Sequence, residues 1–210
     1  MYTKFFKRVI DLVLSVIGLI VLFPIFLIVA IAIKIDDPGP VFFSQKRVGI
    51  HKTYFKLYKF RSMKVNTPDI PTHLLENPNQ YISRVGKVLR RLSIDELPQL
   101  FNIVASQMSI IGPRPALWNQ TDLLEERDKY GANNVKPGLT GWAQINGRDE
   151  LPIDQKARYD GEYVEKMSFA FDCKCFFGTI GKVLKHDGVV EGRIGGLHKV
   201  DDTTKEFIEK

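Results

Sequence analysis

Residues 12–33 read LVLSVIGLIVLFPIFLIVAIAI, 22 positions without a charge, interrupted by a single proline at 24. As one helix the segment would measure roughly 33 Å, enough to span a bilayer core of about 30 Å. A secretory signal would have a shorter apolar core and a small-residue cleavage site, and neither is evident. The flanks matter more than the length. Lys4, Lys7 and Arg8 precede the segment, and Lys34, Lys46 and Arg47 follow it. Basic residues mark the cytoplasmic side, so both ends ask for the same side of the membrane. The ring of Pro24 opposes the carbonyl of Ile20 and removes a helical N–H. The reading is therefore a re-entrant helix-break-helix: two halves of about 12 residues, each reaching roughly 18 Å, that enter one leaflet and turn back. Tyr2, Phe5 and Phe6 suit the interface, and Asp36-Asp37-Pro38-Gly39-Pro40 ends the segment.

Beyond this anchor, 41–48 (VFFSQKRV) and 53–60 (TYFKLYKF) are aromatic and β-branched and predict a hairpin. Phe55, Leu57, Lys59 and Arg61 then share one face, so two cations extend an apolar stripe. Residues 66–80, with Pro68, Pro71 and Pro78, predict a loop.

RRLSIDELPQL (90–100) sets two adjacent acids, Asp95 and Glu96, behind two arginines. Ser93 and Glu96 have capping-box spacing, whereas Pro98 fits better as the first residue of a helix. Either way Asp95 falls at or just before a helix N-terminus, where the dipole favours a charged carboxylate. Leu97, Leu100, Phe101 and Val104 predict the buried face of that helix. In IGPRPAL (111–117), Arg114 stands between two prolines whose fixed φ stiffens its backbone, which suits bidentate phosphate recognition.

Residues 119–131 predict an exposed helix with a solvated charged face, ending at Gly131. In KPGLTGWAQINGR (136–148), Gly138, Gly141 and Gly147 can bring backbone N–H groups to an anion or simply turn tightly. Pro152 opens a helix carrying Asp160, and residues 168–186, which mix Phe with Lys, predict an interfacial helix.

Composition bounds the partners. The chain has 210 residues, with 30 Lys+Arg against 24 Asp+Glu and a net charge of +6, an excess that suits an anionic membrane or a phosphorylated substrate. Without zinc-finger spacing or an RNA-binding aromatic motif, no nucleic-acid partner is expected. Cys173 and Cys175 form neither a disulfide framework nor a metal pair, so a reduced setting is the default.

A membrane-dipping segment, YKFRSM (58–63), RRLSIDELPQLFN (90–102), MSIIGPRP (108–115) and KPGLTGWAQINGR occur in this order. Together they resemble the monotopic phosphoglycosyl transferases, bacterial sugar transferases that begin glycan assembly on a lipid carrier. The likeness covers about residues 1–188 and implies an α+β, helix-dominated fold. Its parts are a re-entrant anchor (1–36), a catalytic domain (37–188) with a small hairpin and interfacial amphipathic helices, and a tail (189–210).

The resemblance also implies an activity: a phosphosugar moves from a UDP-sugar to polyprenyl (undecaprenyl) phosphate, releasing UMP, with Mg²⁺ required. By that likeness Asp95 is the nucleophile that carries a covalent phosphosugar, Glu96 completes the dyad, and both carboxylates serve the metal. Lys59, Arg90 and Arg114 would hold phosphates, and Arg148 and Asp160 match further substrate-binding positions. The implied location is the cytoplasmic face of the bacterial inner membrane, beside lipid and, downstream, other glycosyltransferases. One departure is Phe23, ahead of Pro24, where some members have Ser. A membrane-anchored phosphohydrolase and a non-catalytic scaffold are the rival readings.

Overall fold

The computed structural model describes residues 2–68, 77–147 and 151–185. Its first element is the longest. One π-helical turn (Tyr2–Phe6) leads into α1 (Lys7–Asp36), 30 residues that run through Pro24 in a single helix. The interruption expected at Pro24 is not seen, and packing explains why. Lys7, Asp11, Ser15, Phe26, Val29 and Ile33 are buried, with Leu19 and Leu22 partly buried between them. These positions recur at three and four residues and form one stripe along the whole helix.

An interior proline costs a helix about 3 kcal/mol. Each well-buried apolar side chain returns about 1.5–3 kcal/mol. Phe26, Val29 and Ile33 can join Leu19 and Leu22 on one stripe only if the helix continues through residue 24. Continuity therefore wins.

Both ends of α1 are tied to the rest of the chain. Near its start, the Lys7 ammonium meets Asp172 at 2.6 Å, and Asp11 accepts from the Ser109 hydroxyl (2.6 Å) and the Ile110 N–H (3.0 Å). Near its end, Asp36 accepts from the Val85 N–H at 2.9 Å, and Arg61 pairs with Asp37 at 3.0 Å. The opposite face is apolar and bare: Ile20, Val21, Phe23, Ile28 and Ile35 are each at least 65% exposed. By length and composition this helix is long and apolar enough to cross a membrane.

The predicted hairpin forms. Strands β1 (Phe42–Val48) and β2 (Tyr54–Phe60) pair antiparallel, from Phe42 opposite Phe60 to Val48 opposite Tyr54. Phe55 and Leu57 are buried and Lys59 half-buried on one face, as the alternation predicts. Phe60 breaks the pattern. It lies on the other face yet is 1% exposed, because Phe42 stacks on it and Phe26 of α1 meets it edge-on.

A short helix α2 (Pro78–Tyr81) precedes α3 (Arg84–Arg91), and α4 covers Gln99–Val104. The buried face of α4 differs from the expected one. It holds Gln99, Leu100, Asn102 and Ile103, while Phe101 is 45% exposed. With Pro98 as the cap, the polar Asn102 turns inward and sews the helix to β2: it accepts from the Tyr58 N–H (3.0 Å) and donates to the Lys56 carbonyl (2.7 Å).

Strands β3 (Ser109–Ile111) and β4 (Gly138–Thr140) form a parallel pair. Here the glycines answer a close approach of backbones. A Cβ on Gly138 would lie 2.1 Å from the Gly112 nitrogen, and one on Gly141 would lie 2.1 Å from the Gly112 oxygen. The Gly138 N–H is already spent on the Pro113 carbonyl at 2.8 Å, so it forms no anion cradle.

Helix α5 (Thr121–Asp128) stops before Gly131 and is not merely a solvated face, since Leu123 and Arg127 are buried. After α6 (Trp142–Ile145) come α7 (Ile153–Lys166), which begins at Pro152 as predicted, and α8 (Phe169–Lys185). Helix α8 buries Asp172 against Tyr2, Lys7 and Tyr163, and exposes Phe169, Phe176, Phe177 and Ile180. The architecture is thus a helix-dominated α+β fold with two small sheets and one long apolar N-terminal helix. Residues 69–76 of the predicted loop, and the tail at 189–210, lie outside the described residues.

Candidate active site

The acidic pair sits where α3 has ended and α4 has not begun. Ser93 adopts a left-handed conformation (φ 54°, ψ 20°), which turns the chain into a 3-10 turn at Ile94–Glu96. A left-handed residue with a side chain is uncommon, and such strain gathers at functional sites. The capping box does not form, for the Ser93 side chain caps nothing. The Glu96 carboxylate turns instead toward cations from two other elements.

Lys59, from β2, meets Glu96 at 2.9 Å. Arg114, from the turn after β3, grips both carboxylate oxygens, at 2.8 and 3.3 Å. Planar guanidinium against planar carboxylate is the strong, oriented form of this contact. Burial drags the Lys59 ammonium down from its usual pKa; Glu96 opposes that shift and Arg114 adds to it.

Asp95 has contrasting surroundings. It is only 7% exposed, and among the described residues no hydrogen bond or ion pair reaches its carboxylate. Burial pushes its pKa above the ordinary carboxylate value. Lys59 opposes that rise, Glu96 reinforces it, and Arg90 and Arg114 oppose it more weakly. The shift runs against the direction a helix dipole would give, with burial as its largest cause, and α4 is short, at six residues. Arg90 is held beside the pair by its Nε–H bond to the Ser62 hydroxyl at 2.9 Å. The arrangement is one carboxylate saturated by two cations, next to one that is buried and unengaged.

Comparison with known sequences agrees with this constellation: residues 2–186 match the family described as bacterial sugar transferase. The chain belongs to the bacterial sugar transferase family. Among its relatives in that family, an undecaprenyl-phosphate glucose phosphotransferase of Komagataeibacter xylinus is 43% identical over 83% of this chain and 35% of its own length. A UDP-glucose:undecaprenyl-phosphate glucose-1-phosphate transferase of Xanthomonas campestris pv. campestris is 40% identical over 85% of this chain and 38% of its own. A protein of Bacillus subtilis (strain 168) named uncharacterized sugar transferase EpsL is 39% identical over 87% of this chain and 89% of its own. The chain thus spans little more than a third of the first two relatives and most of the third.

In this sugar transferase Lys59 and Arg114 pair with Glu96, and Arg90 lies close enough to oppose the rise in the Asp95 pKa. Asp160 does not join them. It is 1% exposed inside α7, where Arg127 donates to one of its oxygens through Nε (2.8 Å) and Nη2 (2.6 Å). Arg148 lies outside the described residues. Arg127 and Arg47 were not singled out for the site in the sequence. Each donates to a carbonyl of the Arg114 turn, across 13 residues for Arg127 and 68 for Arg47, at no motif spacing. The reading of 119–131 as a solvated face gave no sign that Arg127 turns inward.

Proposed function

We propose that this protein transfers a phosphosugar from a UDP-sugar to polyprenyl (undecaprenyl) phosphate, with Asp95 as the nucleophile. The observation that carries the proposal is the asymmetry of the dyad. Glu96 is neutralised and fixed, while Asp95 keeps its lone pairs free in a desolvated place, where a carboxylate is a stronger nucleophile than in water. An Asp95 oxygen attacks the β-phosphorus of the donor, the bond from that phosphorus to the α–β bridging oxygen breaks, and UMP leaves with the electron pair. A phosphate oxygen of the polyprenyl acceptor then attacks the same phosphorus. Asp95 departs as a carboxylate, and polyprenyl-diphosphosugar is formed.

An anion attacking a diphosphate meets charge repulsion, which Lys59, Arg90 and Arg114 lower by facing the reacting oxygens. The donor set also suits Mg²⁺. Asp95 has free hard oxygen, and Glu96 stands next to it, although Lys59 and Arg114 compete for its oxygens. Among the described residues no cluster of three or more metal-ligating side chains occurs. That fits an ion usually held by one or two carboxylates together with water and substrate phosphates. When bound, Mg²⁺ would supply charge neutralisation at the diphosphate oxygens.

The relatives' names supply the undecaprenyl phosphate carrier and, for the Xanthomonas protein, UDP-glucose. For this chain the sugar stays open among UDP-linked hexoses, N-acetylhexosamines and diamino sugars. The active site would lie at headgroup depth on the cytoplasmic face of the inner membrane, where a lipid phosphate can reach it and downstream glycosyltransferases can collect the product. Docking of both ends of the unbroken α1 onto the same domain supports a monotopic placement, with the helix lying along that domain, over a crossing.

The test is UMP release across a panel of UDP-sugars, with and without undecaprenyl phosphate. A preferred donor should turn over repeatedly only with the acceptor present, and at most once per protein without it. Sustained release into water alone would instead identify a phosphohydrolase, and no release from any donor would leave the scaffold reading.

A further inference from the structure

The Pro113-Arg114-Pro115 turn carries three consecutive carbonyls, and each accepts a bond from a different element. The Pro113 carbonyl takes the Gly138 N–H of β4 at 2.8 Å. The Arg114 carbonyl takes Nη2 of Arg127, in α5, at 3.0 Å. The Pro115 carbonyl takes Nη1 of Arg47, in β1, at 3.0 Å. Prolines offer no N–H, so carbonyl bonds are the natural way to hold this turn.

The middle bond is set with particular care. Nη2 of Arg127 has two hydrogens: one goes to Asp160 at 2.6 Å and the other to Arg114. Because Nε also binds the same Asp160 oxygen, at 2.8 Å, the guanidinium cannot rotate about its long axis. Asp160 is brought within reach by its neighbour Gly161, where a Cβ would lie 2.5 Å from the Cβ of Tyr130, so α7 lies close against the chain that follows α5. At residue 127 the side chain is 5% exposed, at residue 160 only 1%. A buried ion pair is weak evidence for stability, and geometric specificity is one reason to keep it.

We infer that Arg127, oriented by Asp160, and Arg47 are positioning residues that fix the backbone beneath Arg114 and so aim its guanidinium at Glu96 and the donor phosphates. This rests on the transfer reaction proposed above. Arg127 touches no reacting atom; it acts through Arg114. The role of Asp160 is likewise indirect: its Oδ2 takes both Arg127 bonds, its buried Oδ1 accepts no bond among the described residues, and none of Lys59, Asp95 and Glu96 pairs with it.

Two variants separate positioning from folding. Arg127→Lys keeps the charge but loses the planar fork that serves two acceptors. The double substitution R127M/D160L replaces a buried pair by apolar groups, which commonly preserves folding. Both should lower kcat/KM for the donor by about 100-fold, the scale of an ångström-level misplacement. In an Arg114→Ala background neither should cost more than about twofold, since the group being aimed is gone. Hydrogen exchange over residues 111–118 should quicken in both variants, while exchange over β2 stays unchanged. Losses that multiply in the Arg114→Ala background, or unchanged exchange at 111–118, would overturn the inference. Absence of UMP release from the unsubstituted protein would instead remove the proposed reaction, and the exchange measurement alone would then decide the positioning role.

Discussion

A largely buried carboxylate with no hydrogen bond from the protein is penalised by desolvation when it is charged. Asp95 is such a group among the described residues, and its raised pKa, owed first to burial, fixes the sign of a stability effect. The folded state holds this proton more tightly than the unfolded chain does. Stability is therefore lost as pH rises from the ordinary carboxylate range through the folded pKa. Asp95→Asn should abolish transfer yet raise Tm at pH 7, with the gain vanishing near pH 3; an unchanged or lower Tm at pH 7 would contradict this. Glu96→Gln should act in the opposite sense. It strips the counter-charge from Lys59 and Arg114, and should lower stability by about 1.5–3 kcal/mol, the worth of a hydrogen bond to a charged group, measured by denaturant unfolding. The pair itself was legible in the sequence because both acids are adjacent and flanked by arginines. Their inequality was not, because it depends on Lys59 and Arg114, which arrive from residues 37 and 18 positions away. The left-handed Ser93 was equally hidden, for serine gives no local sign of positive φ.

Between elements, the site depends on how closely α3 approaches the end of β2. At Gly86 a Cβ would lie 1.9 Å from the Ser62 carbonyl oxygen, and Ser62 is the residue whose hydroxyl holds Arg90. Gly86→Ala should destabilise by about 1–3 kcal/mol, as overpacking does, and should reduce activity as well. Gly181, in α8, has nothing within 4 Å of its hypothetical Cβ. There Gly181→Ala should stabilise by about 0.5–1 kcal/mol through helix propensity. Thermal unfolding of the two variants should thus shift in opposite directions, and equal shifts would refute the packing account. The hairpin and α7 were readable from alternation and from Pro152. The β3–β4 pair was not, since two strands of three residues leave too short a period. The glycines of 136–148 therefore read as a turn or an anion loop, when what they permit is contact between backbones.

Over the whole molecule, α1 packs its buried stripe along the domain that carries the site and leaves its apolar face bare. One stripe buries Phe26, Val29 and Ile33 against Phe60 and Leu89, and the opposite face is exposed and apolar. Phe26→Ala should cost about 3 kcal/mol of stability. Replacing the exposed Ile20 and Phe23 with Ser should spare the fold but weaken retention by liposomes, which flotation measures. Both ends of α1 should be protected from, or open to, an impermeant label on the same side. The sequence carried the length, the charge flanks and the proline; the outcome at Pro24 lay in the packing partners, all of them distant in the chain. The central claim, that Asp95 carries the sugar phosphate between donor and acceptor, has a direct test. The protein is mixed with a donor labelled in its β-phosphate, without acceptor, quenched, and the adduct mapped by mass spectrometry. The account predicts one labelled acyl phosphate, on Asp95, that disappears when undecaprenyl phosphate is added. Label on another residue, or transfer at full rate with no labelled protein, would contradict it.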